Sequence, residues 1–221
     1  GIGDAGAAAL GWLLHESASL RHLDVSWNLI RGDGARALAD GIRFNPTMTH
    51  LDVSHNGLGD LGASHIALVL AENSGLHAIN LSATQAREGT AAVLASAIDL
   101  NPEHPLRTLA LCDNALGRAG GARLLKALCT EHAGAAALDA LELRGCSFVN
   151  AARPSSSSAP ATLPSAGETA TFDLSLPAQR VVVLQLLKRR EERHGLQWRR
   201  VRLDGKVVPT NPFPRWPAFL P

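Results

Sequence analysis

Apolar positions along the chain follow two periods that take turns. From Leu20 the pattern is Leu20, Leu23, Val25, Asn28, Ile30 with polar residues between them, which reads L-x-x-L-x-L-x-x-N-x-L. It returns at Met48, Leu51, Val53, Asn56, Leu58, then at Leu76, Ile79, Leu81, Thr84, Ala86. Two more copies run Leu106, Leu109, Leu111, Asn114, Leu116 and Leu138, Leu141, Leu143, Cys146, Phe148. The starts lie 28, 28, 30 and 32 residues apart. A near-fixed period of this size predicts a solenoid, in which each coil packs only on its neighbours. The alternating part predicts a short strand that sends Leu23 and Val25 inward and His22, Asp24 and Ser26 outward. The period then becomes helical. Leu38/Ile42, Ile66/Leu70, Leu94/Ile98 and Leu124/Leu128 are i, i+4 pairs on the faces of helices predicted over 34–44, 62–72, 90–100 and 120–132. Asn45-Pro46, Asn73-Ser74-Gly75 and Asn101-Pro102 supply the stops.

Because the repeat returns each strand to the same place, the strands form one parallel sheet with neighbours about 4.8 Å apart. A helix is about 10 Å wide, so the stack curves, with strands on the concave face and helices on the convex face. The Asn at the ninth position (Asn28, Asn56, Asn114) turns the chain out of the strand, and its amide can satisfy backbone groups left unpaired there. Thr84 and Cys146 stand in for it in two copies, as smaller and weaker hydrogen-bonding groups.

Five in-register copies resemble the leucine-rich repeat. The helical halves Gly32-Asp33-Gly34-Ala35 and Gly59-Asp60-Leu61-Gly62-Ala63, followed by apolar residues at helical spacing, are similar to the ribonuclease-inhibitor class of that family. The resemblance covers residues 1–148 and implies an α/β solenoid, a segment of a curved horseshoe. It also implies function. The ribonuclease inhibitor and the sensing region of NOD-like receptors are non-enzymatic interaction scaffolds, which makes a protein-binding module the first reading. The alternative is a GTPase-activating protein of the Ran type, a group that uses the same repeat class. Those proteins usually carry an acidic tail, and here the tail is basic.

The chain opens in mid-repeat: Ile2 occupies the Ile30 position and Leu10 the Leu38 position. It therefore reads as a piece of a longer protein with a truncated first repeat. Residues 149–171 are rich in Ser, Pro and Ala and too polar to bury, which predicts a disordered loop. Residues 172–208 regain pattern as a capping helix over 177–193 and a closing strand at 198–203. There Trp198, Val201 and Leu203 fit L-x-x-L-x-L again, and the alternative is a helix–hairpin appendage turning at Asp204-Gly205. Residues 209–221 form a Pro-rich tail.

Charge and chemistry narrow the function classes. Net charge is +1 over 221 residues, which argues against a general nucleic-acid binder. It divides unevenly: residues 1–171 hold 11 Lys+Arg and 16 Asp+Glu, net −5, while residues 172–221 hold 10 and 4, net +6. The basic run Lys188, Arg189, Arg190, Arg193, Arg199, Arg200, Arg202 suits either an acidic partner or nuclear import, or else forms a solvated face beside Glu191 and Glu192. Cys112, Cys129 and Cys146 are odd in number and have no metal spacing, which favours a reducing, cytoplasmic setting, with the nucleus open. No apolar run approaches the ~18 residues of a membrane span. No phosphate-binding or dinucleotide motif appears, no catalytic triad can be assembled from Ser54 beside His55, and no cofactor or small-molecule substrate is expected.

The concave face is left as the binding surface. Its columns read His22, His50, Ala78, Thr108, Ala140; then Asp24, Asp52, Asn80, Ala110, Glu142; then Ser26, Ser54, Ser82, Cys112, Arg144; and at the edge Trp27, His55, Ala83, Asp113, Gly145. The candidate protein-binding residues are His22, Asp24, Trp27, His50, Asp52 and His55. They are the polar and aromatic positions of the first two full repeats. The side chains of one column stand parallel and do not converge, which argues against a metal site between His22 and His50 and against acid–base work by the aspartates.

Overall fold

The computed structural model describes residues 1–101, 104–129, 140–146 and 200–202. Helix and strand alternate as α1 (Asp4–Glu16), β1 (His22–Asp24), α2 (Gly32–Arg43), β2 (His50–Asp52) and α3 (Gly59–Leu68), which tightens into a 3-10 turn at Val69–Ala71. They continue as β3 (Ala78–Asn80), α4 (Glu88–Leu100), β4 (Thr108–Ala110), α5 (Arg118–Cys129), β5 (Ala140–Glu142) and β6 (Arg200–Arg202). The strands form a single sheet in chain order, and every pair is parallel. Leu23, Leu51, Ile79, Leu109, Leu141 and Val201 stand in register, each the fourth position of its L-x-x-L-x-L phrase. The chain is thus a leucine-rich-repeat solenoid, strands on the concave side and helices on the convex.

β6 lies inside the predicted closing strand 198–203 and pairs parallel with β5, continuing the sheet where an antiparallel hairpin would have ended it. The loop over 149–171, the capping helix over 177–193, the tail over 209–221 and the last predicted turn of α5 lie outside the described residues.

One continuous core runs between sheet and helices. Leu51, Ile79, Leu109 and Leu141 from the strands are fully buried, as are Leu38, Ile42, Ile66, Leu70, Leu94 and Leu124 from the helices. Small residues bring adjacent helices together. A β-carbon at Gly41 of α2 would fall on the Gly11 carbonyl of α1, and one at Gly11 on the Ala37 carbonyl. Any side chain at either glycine would push these two helices apart.

Two ladders of asparagine hold the corners of the coils. Asn56 donates to the carbonyls of Val25 (2.8 Å), Val53 (3.1 Å) and Ser54 (3.2 Å), and its Oδ1 accepts from Ile30 N–H (3.0 Å). Asn114 does the same toward Leu81, Leu111 and Cys112, while accepting from Thr84 and Ala86. Each amide therefore serves its own turn and the coil before it. The two substitutes are weaker, as expected: Thr84 Oγ1 donates once, to Leu81 (2.7 Å), and Cys146 Sγ once, to Leu111 (2.9 Å).

The second ladder sits at the helix ends. Asn73 donates to the carbonyls of Ile42 (2.8 Å) and Asn45 (2.9 Å) and accepts from Gly75 N–H (2.8 Å) and Leu76 N–H (2.9 Å). Asn45 reaches Leu14 and Ser17 in the same way, and Asn101 reaches Leu70. The sequence shows these residues only as helix stops. In the fold each one also neutralises the C-terminal carbonyls of the helix one coil earlier.

Helices α2 to α5 begin two or three residues before their predicted starts. No residue at the start of α1, α2, α3 or α4 caps its own helix through a side chain. Where a cap exists it comes from the coil before. Asp4 Oδ1 accepts from Arg31 N–H (2.7 Å) and Gly34 N–H (3.2 Å) at the start of α2. Asp60 takes the N–H groups of Arg87 (2.8 Å), Gly89 (3.1 Å) and Thr90 (2.8 Å) and the Thr90 hydroxyl (2.7 Å) at the start of α4.

Leu51→Ala is expected to cost about 2–5 kcal/mol in urea unfolding, through the cavity left between two packed coils. Asn73→Ala is expected to cost at least about 2 kcal/mol, because it strands buried carbonyls and N–H groups in two coils at once. A near-wild-type midpoint for Asn73→Ala would mean that solvent, not the amide, satisfies those groups.

Candidate functional site

The concave surface is built from the outward residues of β1 to β5 and the turn that follows each strand. Its character changes along the solenoid. Ala78, Ala110 and Ala140 line its middle and later part, each nearly covered by its neighbours. The large polar and aromatic groups gather on β1 and β2, where the candidate residues lie.

The structure brings four of the six into pairs. His22 and His50 stand opposite each other in the β1–β2 ladder, with ring centroids 4.4 Å apart at an interplanar angle of 72°, an edge-to-face contact. Trp27 and His55 stack almost flat, with centroids 3.9 Å apart at 8°. Trp27 remains 75% exposed. The two aspartates differ. Asp24 is exposed and accepts the Ser26 N–H through Oδ1 (2.9 Å). Asp52 is only 8% exposed, with Oδ1 taken by Ser54 N–H and Oδ2 by the Asn80 amide (both 2.9 Å). Asp52 is thus tied into the face itself, and Asp24 carries the accessible carboxylate of the pair. Strand alternation identifies both as outward but cannot tell them apart, because the bond from Asn80 comes from the next coil.

The edge column has a backbone property of its own. Trp27 (φ 56°), His55 (φ 54°), Ala83 (φ 53°), Asp113 (φ 56°) and Gly145 (φ 69°) are all left-handed. The turn out of each strand imposes this, so the cost falls on whichever side chain occupies the position. Glycine accepts it freely, aspartate and histidine with moderate ease, and tryptophan poorly. The sequence offered no sign of this strain, since the residue before the ladder Asn has no fixed type.

Among the described residues no group of three or more His, Cys, Asp or Glu side chains is placed to hold a metal ion. Cys112 and Cys146 are free and buried. Burial pushes both thiols above their ordinary pKa, which keeps them protonated and poor nucleophiles.

A family model described as leucine-rich repeat matches residues 16–39 and 44–67. No curated protein matches the sequence. Among solved structures, leiomodin-1 actin-binding site 2 (ABS2) aligns over 86% of this chain and 90% of its own, with a TM-score of 0.55 and 14% sequence identity. At that identity the likeness is one of fold. The matched repeats, the single parallel sheet and the helix between successive strands give this chain a leucine-rich-repeat fold.

The site's electrostatics carry a sign. Burial lowers the His50 pKa below its ordinary value, and the positive charges of His22 and His77 lower it further. Burial also lowers that of His104, against a smaller upward pull from its backbone hydrogen bond. The unfolded chain takes up these protons as pH falls through about 6.5, whereas the folded chain resists until lower pH. Stability from these two groups is therefore complete above that value and declines as pH falls toward the folded pKa values. Asp60 acts in a separate, more acidic window. Burial works against its charged form, but the bonds from Thr90, Arg87 and Gly89 outweigh it and hold its pKa low, so its contribution is lost only as pH falls through that lowered value. Thermal melts at pH 7.5 and 5.5 should show a lower midpoint at 5.5, with a smaller difference in His50→Gln. An unchanged difference in that variant would place the dependence elsewhere.

Proposed function

We propose that the chain is a non-enzymatic interaction module that binds a protein partner on the concave face of its first two full repeats. The observation that carries this reading is Trp27. It is three-quarters exposed, stacked on His55 and held in a backbone conformation unfavourable to its side chain. A residue that contributes nothing to the core and occupies a strained position fits retention for contact. Exposed tryptophans that become desolvated in a complex are among the residues that contribute most to binding, often over ~2 kcal/mol each. His22, His50 and the exposed carboxylate of Asp24 surround it on the same face, and Asp52 and Asn80 hold that face in shape. We also read the repeats as ribonuclease-inhibitor-like, on their length near 28 residues and their full helices.

The leiomodin neighbour supports one particular partner. Its matched region is an actin-binding site, so actin is the first protein to test. Nothing in the site favours GTPase activation, and hydrolysis assays with small GTPases address that alternative directly.

Co-sedimentation with filamentous actin and affinity capture with cross-linking should be run on the wild type and on Trp27→Ala/Asp24→Lys. Asp24 is the better charge to reverse, since Asp52→Lys would break the bonds to Ser54 and Asn80. A partner held by this face should lose at least tenfold in affinity in the double variant, and its cross-links should map to β1 and β2. Retention of full affinity, or cross-links confined to the helices, would move the site off the concave face.

A further inference from the structure

We propose that the C-terminal ends of α2, α3 and α4 form a second docking surface, separate from the concave face, that takes a basic amphipathic helix of a protein partner. Its centre is Phe44, Leu68 and Leu100.

Three apolar side chains stand in water there. Phe44, Leu68 and Leu100 keep 70%, 38% and 72% of their surface exposed. Phe44, Glu72 and Leu100 each come directly before a ladder asparagine, Asn45, Asn73 and Asn101. Asn73 bonds the Asn45 carbonyl and Asn101 the Leu70 carbonyl, which sets the three helix ends side by side. Arg43 Nε lies 3.9 Å from Glu72 Oε2, across the first of these joints. Leu68 stands one turn before Glu72 on the middle helix. Each of the three helices is packed on both flanks: α2 between α1 and α3, α3 between α2 and α4, α4 between α3 and α5. The exposure therefore belongs to the interior of the stack and owes nothing to its ends.

Spacing and charge define the occupant. Packed helices lie about 8–10 Å apart, so Phe44 and Leu100 stand about two such steps from each other with Leu68 between them. A helix rises about 10.5 Å in seven residues. Apolar residues at i, i+7 and i+14 of one helix laid across the ends therefore meet the three in turn. An extended strand covers the same step in about three residues, which turns successive contacts to opposite faces. Among the described residues, the carboxylates within one turn of the apolar three are Asp40, Glu72 and Asp99, all exposed, and the one guanidinium or ammonium group is that of Arg43. Arg43 is held by Glu72. Lysine or arginine beside the partner's apolar stripe thus meets Asp40 and Asp99 at the rim, and a basic partner is steered toward them.

A role in the fold does not account for these side chains. The core positions of the same helices, Ile42, Leu70 and Ile98 among them, are already filled and fully or almost fully buried. The position of Phe44 and Leu100 is Glu16 at the end of α1 and Glu72 in the middle coil, so the turn accepts a polar residue there. Phe44→Ser/Leu100→Ser should therefore melt within a few degrees of the wild type.

The test uses the full chain and three labelled synthetic peptides, read by fluorescence anisotropy. The first is helix-forming, with a leucine stripe that includes i, i+7 and i+14 and with lysine and arginine on its flanks. The second is a scramble of the same composition, and the third carries glutamate in place of the basic residues. The basic amphipathic peptide should bind saturably, at least tenfold more tightly than either of the others, and should lose at least tenfold in Phe44→Ser/Leu100→Ser. Asp40→Lys/Asp99→Lys leaves the apolar residues in place and should reverse the preference between the basic and acidic peptides. Trp27→Ala/Asp24→Lys should bind the basic peptide as the wild type does, because the two surfaces are separate. No binding of the basic peptide, equal binding of the scramble, or full binding by Phe44→Ser/Leu100→Ser would overturn the proposal. So would an unchanged preference in Asp40→Lys/Asp99→Lys. Loss of the peptide in Trp27→Ala/Asp24→Lys alone would move the contact to the concave face and overturn it as well. Concentration-dependent self-association abolished by Phe44→Ser/Leu100→Ser would assign the surface to a second copy of the chain, and would overturn it for a separate partner.

Discussion

The structure depends on satisfying the backbone at the corners of each coil. A strand of three residues and a helix of about three turns meet at two tight turns, both inside the stack and shielded from water. A buried carbonyl or N–H without a partner costs on the order of 1–3 kcal/mol, and every coil would carry several. The two asparagine columns remove that cost. Each amide bonds its own turn and reaches back to the coil before, so the groups it satisfies are present only when two coils are stacked. Asp4 and Asp60 extend the same arrangement to the helix starts. The polar bonds of a coil are thus shared with its neighbour to the same degree as its apolar core. A single repeat excised from the stack would lose both at once, which is why the solenoid folds as an array.

This constraint also explains the binding face. Once the corners and core are fixed by Leu and Asn, the outward strand positions and the residue before the ladder Asn are left free to vary. Ala78, Ala110 and Ala140 show the face where little is displayed. His22, Asp24, Trp27, His50 and His55 show it where chemistry is displayed. Asp52 belongs to both groups, because it points outward yet is held by Asn80 from the next coil. The strain at Trp27 follows from the same geometry: the turn that lets the ladder Asn reach inward forces its predecessor into the left-handed region. The fold sets the backbone there and function selects the side chain.

The repeat spacing alone was enough to identify the parallel sheet and its register, because a phrase that recurs every 28 to 32 residues returns the chain to an equivalent place regardless of detail. It likewise marked which leucines are buried, since period two and period 3.6 each define a face. The ladder role of Asn28, Asn56 and Asn114 was legible too, as a polar residue recurring where the pattern turns inward. Even the closing strand at Arg200–Arg202 could be anticipated, from the phrase around Val201 in an otherwise altered region.

What the sequence could not state was anything that requires two coils to be in contact. The starts of α2 and α4 lie two residues before their expected places, with caps about 27–30 residues upstream, in Asp4 and Asp60. Asn45, Asn73 and Asn101 looked like local stops, although their amides also serve the preceding helix. Asp24 and Asp52 were indistinguishable by alternation, and only the tertiary fold made one accessible and the other part of the frame. The flat pairing of Trp27 with His55 belongs to the same class. Each residue is visible in its own repeat, but the stack exists only because parallel strands in register set consecutive coils side by side. Local pattern determines which face a side chain occupies, and stacking determines what it touches there.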